Sequence, residues 1–171
     1  MLSLTRRSLS GLLLGCAAAS SARASDALPA PASKPILTIS GRITRTNAGD
    51  SANFDRSMLE SMEQEGFQTT TPWYNGPVKF EGVKMIRLMD AVGATGSTVT
   101  AFALNDYTTE LPMSDFEKYD VILAMKRDGA YMPIRDKGPL FIVYPFDSSP
   151  ELKSQQYYSR SAWQVAKLVI K

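Results

Sequence analysis

The stretch Tyr131 to Pro145, YMPIRDKGPLFIVYP, constrains the fold more than any other part of the chain. Leu140 to Tyr144 is apolar, aromatic and β-branched, and Pro145 closes it; this pattern predicts a buried strand. Pro133 sets a turn ahead of it, and Gly138 and Pro139 punctuate its entry. Between them Arg135, Asp136 and Lys137 place three charges in a row. Charges against the entrance of a buried strand are costly unless something pairs them. The loop is therefore either a structural salt-bridge corner or a ligand-facing loop, and local chemistry favours the corner.

Met1 to Ala24 has the three parts of an export signal. Arg6 and Arg7 form a basic start, Leu9 to Ala19 is apolar and small, and Ala22-Arg23-Ala24 gives a small-x-small cleavage site with Ser25 as the first mature residue. The apolar part is too short for a membrane-spanning anchor. The Arg6-Arg7 pair is a loose match to a twin-arginine signal. Leu13-Leu14-Gly15-Cys16 is a competing lipoprotein box, in which Cys16 would carry lipid. The expected location is periplasmic or otherwise exported. Ser25 to Lys34 follows as an Ala/Pro/Ser-rich flexible leader, and residues 35–171 form one domain.

Removing the signal changes the charge argument. Arg6, Arg7 and Arg23 leave with it and no acid does, so 19 basic and 17 acidic residues become 16 and 17, a net charge of −1. No electrostatic case for nucleic acid remains. The chain has one cysteine, Cys16, and no histidine. A chain cut after Ala24 thus has neither thiol nor imidazole. That excludes internal disulfides, cysteine nucleophiles, Ser-His-Asp triads, Cys/His zinc sites and histidine-held haem. Dinucleotide, phosphate-loop and EF-hand motifs are also absent.

In order, Leu37, Ile39 and Ile43 alternate with polar residues and predict a half-buried strand. Thr44 to Asn53 is a polar loop. Phe54, Met58, Leu59 and Met62 stand at helical spacing with Asp55 near the start and Gly66 as the stop. Phe67 to Thr71 is β-branched, and Pro72 to Pro77 is turn-rich. Val78 to Gly82 predicts a short strand. Met85, Leu88, Met89 and Val92 predict an apolar helix stripe ended by Gly93. Thr98 to Leu104 and Tyr107 to Leu111 pair around Asn105-Asp106 as a hairpin. A helical turn at Ser114 to Lys118, a strand at Val121 to Met125 and a hairpin signal at Arg127-Asp128-Gly129 follow. Ser149-Pro150-Glu151 predicts a helix start, and Ala162 to Ile170 a closing strand with Trp163 as a large anchor. Many strands, few short helices and no βαβ alternation predict an α+β domain with a mixed, curved β-sheet.

Several of these stretches, in order, resemble the molybdopterin-binding domain of the sulfite oxidase family. Phe80 to Gly93 resembles its Trp-Gly-Val turn and following helix. Thr98 to Pro112 resembles its strand and Asp-Gly-Tyr hairpin. Met132 to Pro145 resembles its Leu-Pro-x-x-His-Gly-x-Pro-Leu-Arg-Leu-Val-Val-Pro segment, and Trp163 to Ile170 its last strand. The resemblance implies a sulfite-oxidase-like molybdopterin-binding fold and molybdopterin as a candidate cofactor. It also shows departures. The family's metal-binding Cys falls at or near Thr69, its His on Asp136, the next Gly on Lys137 and its Arg on Phe141. A threonine hydroxyl is a poor substitute for a thiolate.

Two readings follow from the resemblance. One is an exported ligand-binding or sensory module without molybdenum redox chemistry and with no cofactor, facing a small anion, a pterin, or a membrane redox or signalling partner. The other is a genuine molybdopterin-dependent oxidoreductase with non-Cys ligation. A hydrolase using Asp106, Asp128, Asp136, Ser114 and Lys137 has no spacing rule behind it. The expected pocket lies between Thr69–Tyr74, Asn105–Tyr107 and Arg135–Gly138. There Thr69 and Thr70 would hydrogen-bond, Trp73 would stack, Arg135 and Lys137 would meet an anion, and Asp106 and Gly138 would complete the cofactor-binding set. No catalytic residue and no metal ligand is assigned. Cleavage after Ala24 is testable directly: intact-mass measurement on envelope-derived protein should give a chain beginning at Ser25. A diacylglyceryl-modified Cys16 terminus would sink this expectation.

Overall fold

The computed structural model describes residues 27–171. The export signal expected at Met1 to Ala24 therefore lies outside the described residues, as does Cys16. The strands are β1 Leu37–Gly41, β2 Ala52–Phe54, β3 Gln64–Thr71, β4 Tyr74–Lys84, β5 Thr98–Ala103, β6 Thr108–Pro112, β7 Ile122–Arg127, β8 Ala130–Tyr131, β9 Phe141–Val143 and β10 Val165–Ile170. The helices are α1 Arg56–Ser61, α2 Met85–Val92, α3 Met113–Lys118 and α4 Gln155–Arg160.

This is the α+β class that the sequence predicts, with its strands divided over two sheets. The first runs β2-β1-β10-β5-β6 and is mixed, because β1 and β10 are parallel and the other pairs antiparallel. The second runs β3-β4-β7-β8 and is antiparallel throughout. One edge of β7 pairs with β4; the other is shared by β8, at Lys126 and Arg127, and β9, at Ile122 to Ala124.

Leu140 to Tyr144 is fully buried and contains β9, as its apolar run requires. It stitches the two sheets together. Ile142 N–H donates to the Ala162 carbonyl at 2.9 Å, Val165 N–H to Leu140 at 2.9 Å and Gln164 N–H to Lys137 at 3.0 Å. The segment entering β10 in one sheet is thus hydrogen-bonded to the segment that carries β9 in the other. A single buried cluster takes Leu37, Ile39, Val99 and Leu168 from the first sheet and Phe80, Ile122 and Phe141 from the second. The stripe of α2 (Met85, Leu88, Met89 and Val92) completes it, and Gly93 ends that helix in the left-handed region at φ 61°.

Local differences from the sequence expectation have simple causes. Phe54 lies in β2 rather than in the helix, and Asp55 is the helix N-cap, its carboxylate accepting from Met58 N–H at 2.9 Å. Gly66 does not stop α1. The Gln64 side-chain amide does so, donating to the Leu59 and Met62 carbonyls at 2.8 and 2.9 Å, and Gly66 falls inside β3. The turn expected over Pro72 to Pro77 contracts to Pro72-Trp73, and β4 is eleven residues long. Ser149-Pro150 opens only a 3-10 turn, Pro150–Leu152, and the α-helix comes later as α4.

Over residues 27–34 the expected flexible leader lies against the domain. Ser33 N–H donates to Asp55 Oδ2 at 2.8 Å, Asn47 Nδ2 donates to the Pro29 carbonyl at 2.8 Å, and Leu28 packs on the core. Met58 N–H, then Ser57 and Ser33, hold the Asp55 carboxyl well below the usual range and outweigh the opposing effect of burial. A lowered folded-state pKa gives stability that is full above the unfolded value, about 3.9. That contribution shrinks below this pH and is gone once pH falls through the folded value. Melting temperature should therefore fall steeply between about pH 5 and pH 2, and Asp55→Asn should flatten the slope in that window. Identical slopes in the two proteins would contradict this role for Asp55.

Candidate functional site

A pocket of about 290 Å³ opens where the β3–β4 turn, the β5–β6 turn and α4 meet. Trp73, Tyr107, Tyr158 and Trp163 supply its aromatic wall, and Asn105, Gln155, Ser159 and Ser161 supply neutral polar groups. Each element is held from behind. The tight Pro72-Trp73 turn brings Trp73 edge-on to Phe141 at 5.5 Å, to Tyr158 at 6.1 Å and to Trp163 at 5.4 Å. Such perpendicular contacts satisfy the ring quadrupoles and fix ring orientation. Trp163 is positioned by a backbone bridge to Phe141.

The polar network under α4 fixes the remaining wall. Arg160 of α4 pairs with the buried Asp115 of α3 at 2.8 Å, and the Tyr144 hydroxyl donates to the same Asp115 oxygen at 2.7 Å. Burial first, and then the Asp115 carboxylate, push the Tyr144 hydroxyl far above its ordinary range, so it remains a donor. Across the mouth, Tyr107 donates its hydroxyl to the Ser159 carbonyl at 2.7 Å and straps the β5–β6 turn to α4.

The structure brings only part of the expected site together. Trp73 lines the pocket, and Asn105 and Tyr107 line it beside the expected Asp106, which itself sits exposed in the turn at φ 65°. Thr69 is fully buried and does not line it. Its hydroxyl accepts from Asp147 N–H at 3.0 Å and donates to the Thr70 carbonyl at 3.3 Å. The strand register shifts between Thr69 and Thr71, and Thr70 turns its N–H and hydroxyl to the Asp147 carboxylate at 2.5 and 2.6 Å. Lys153, then Thr70, hold the Asp147 carboxyl well below the usual range. Thr69 is thus part of a clasp joining β3 to the 3-10 turn Phe146–Ser148.

The charged loop resolves into the salt-bridge corner. Asp136 pairs with Arg127 of β7 at 2.7 Å and accepts from the Tyr74 hydroxyl at 3.0 Å, rather than pairing with its neighbours in sequence. Burial pushes the Asp136 carboxyl up, but Tyr74 and Arg127 outweigh it and hold it low. Burial pushes Tyr74 up to about 12, with Arg127 opposing and Asp136 adding to the shift. Arg135 is exposed and lies outside the pocket wall. Gly138 is buried, and a Cβ there would come within 1.8 Å of the Met132 carbonyl oxygen, so its bareness serves backbone packing. Lys137 lies beside the wall, with its ammonium 5.3 Å from the centre of the Trp163 ring. The wall supplied by α4 had no usable sequence signal, since a helix of six residues with one buried side chain shows no periodicity.

A family model described as the oxidoreductase molybdopterin binding domain matches residues 43–147. The chain belongs to that family. Its fold is the sulfite-oxidase-like molybdopterin-binding fold: a chain of the sulfane dehydrogenase SoxCD from Paracoccus pantotrophus superposes with a TM-score of 0.61 at 17% identity. The match covers 78% of this chain and 37% of that one, so this chain spans little more than a third of its structural relative. No curated protein matches the sequence.

The family binds a molybdenum–pterin cofactor, and the residues present can be tested against it. The described residues contain no thiol and no imidazole. They also hold no cluster of three or more metal-ligating side chains. The hydroxyl of Thr69, where the resemblance places the thiolate, already serves backbone partners. The pocket wall itself carries no charged side chain and has the single ammonium of Lys137 beside it, whereas a phosphate-bearing pterin calls for cations at the wall. This donor set does not fit a thiolate-held molybdenum centre. Thr69→Val should leave Asp147 N–H without its partner and lower unfolding stability by about 1–2 kcal/mol, as read by denaturant titration. An unchanged midpoint would show that the clasp contributes nothing.

Proposed function

We infer that this chain is an exported ligand-binding module that keeps the molybdopterin-domain fold and works without molybdenum redox chemistry. The observation that carries this reading is the burial and engagement of Thr69 at the position assigned to the family's metal-binding thiolate. The fold's interior is arranged to close that position. The neighbouring aromatic pocket remains as the place for a small ligand. Small-molecule sites are concave, mostly apolar and dressed with a few orienting polar groups, and this pocket has that make-up. At about 290 Å³ it suits a small molecule.

A sensory role gives the pocket its use. Leu104 and Ile134 are 52% and 57% exposed, and Gln164 links them: its carbonyl accepts from Leu104 N–H at 2.9 Å and its side chain donates to the Ile134 carbonyl at 2.6 Å. Leu104 precedes the pocket residue Asn105, and Gln164 follows the pocket residue Trp163. A signalling partner meeting this apolar surface would sense the pocket through adjacent backbone. Family membership favours a second reading, a molybdopterin-dependent oxidoreductase with oxygen ligation.

Metal and pterin analysis of protein purified from its own host's envelope separates the two. The expected result is folded protein with no stoichiometric molybdenum and no pterin. Molybdenum near one equivalent, with a pterin, would overturn the binding-module reading and move Thr69 or another oxygen donor into the metal's coordination sphere.

A further inference from the structure

The pocket's chemistry narrows what it takes. Its wall is aromatic and neutral, with no acidic or basic side chain among the residues that line it. A wall of this kind is open to two sorts of guest: a planar ring that stacks, or an organic cation that sits on the ring faces. One charge decides between them. Among the described cations, Lys137 alone rests on a ring of the pocket wall, its Nζ 5.3 Å from the Trp163 centroid and 4.8 Å from that of Tyr74. The adjacent Asp136 forms no ion pair with it, because its two oxygens are given to Arg127 and Tyr74 at 2.7 and 3.0 Å, although the carboxylate's charge still reaches Lys137 through space. A cationic guest against Trp163 would share that ring with an ammonium and be repelled. An anionic group on a stacked ring would meet a cation whose position is already fixed by two aromatic neighbours.

We propose that the pocket binds a small planar aromatic acid, its ring against Trp73 and Trp163 and its carboxylate toward Lys137. Asn105, Gln155 and Ser159 supply neutral groups for hydrogen bonds at the ring edge. The volume of about 290 Å³ admits a guest of small-molecule size and excludes a dinucleotide. This inference rests on the ligand-binding reading above and adds the ligand's class. On this reading Lys137 supplies the loop's anion contact, while Arg135 is exposed and outside the pocket wall.

The test uses the mature chain and three probes that do not absorb at the tryptophan excitation wavelength: benzoate, its neutral amide benzamide, and phenyltrimethylammonium. The chain has two tryptophans, and both line the pocket, so quenching of intrinsic emission reports binding there. Calorimetry gives the affinities. Benzoate should bind about tenfold more tightly than benzamide, the scale of one partly screened charge pair, and added salt should narrow the gap. Lys137→Met should bring the two affinities together, chiefly by weakening benzoate, and Lys137→Arg should retain the preference. Equal affinities in the unaltered protein, a preference that survives Lys137→Met, or tightest binding of the ammonium probe would overturn the assignment of an acid but keep the pocket as a binding site. Failure of all three probes to bind or to quench would remove the ligand-binding reading itself, and this inference with it.

Discussion

The pairing of Leu140 to Val143 on both sides is the constraint on which the rest depends. On one side β9 pairs with β7; on the other, Leu140 and Ile142 exchange backbone hydrogen bonds with Ala162 to Val165. A strand in this place has no solvent-facing edge and no solvent-facing surface, which is why its sequence is continuously apolar rather than alternating. Its position fixes where Phe141 lies, and Phe141 backs both Trp73 and Trp163. The Trp73 and Trp163 part of the pocket wall is therefore built on the seam between the two sheets.

Much of this architecture was legible in the chain. The Leu140 to Tyr144 run, the Met85 to Val92 stripe with Gly93 behind it and the hairpin around Asn105-Asp106 each follow a strong local rule, and each appears at its expected place. The division into two sheets was not legible, because strand pairing is a long-range choice that periodicity does not encode. The same limit hid the end of α1. Gly66 offered a plausible local stop, but a side chain three residues past the helix, Gln64, caps it instead.

The candidate site was half legible for the same reason. Trp73 and the Asn105 to Tyr107 turn could be named because aromatic residues beside turn signals tend to face a surface or a pocket. Thr69 looked available from sequence. Only the register shift beside it, and an aspartate 78 residues further on, reveal that its hydroxyl already has a partner. From sequence the charged triplet fits either a corner or a ligand loop, and the contacts of Asp136 are those of a corner. Asp136 belongs to the corner through Arg127, while Lys137 is turned onto Trp163. Asp136 takes its partners from β7 and β4, and its neighbour Lys137, left-handed at φ 64°, lies on Trp163 instead.

The Asp147 clasp also bears on how copies of this chain avoid one another. The outer strands β2, β6 and β8 are five residues or shorter, but β3 has eight and borders its sheet. A long bordering strand is a template on which another polypeptide can extend the sheet. Here the far end of β3 presents Thr70 N–H to a carboxylate instead of to a neighbour, and its near end carries Glu65 in an ion pair with Lys84. The clasp that engages the Thr69 hydroxyl thus also blunts the longest open margin of the two sheets, so loosening it would free a template for self-association.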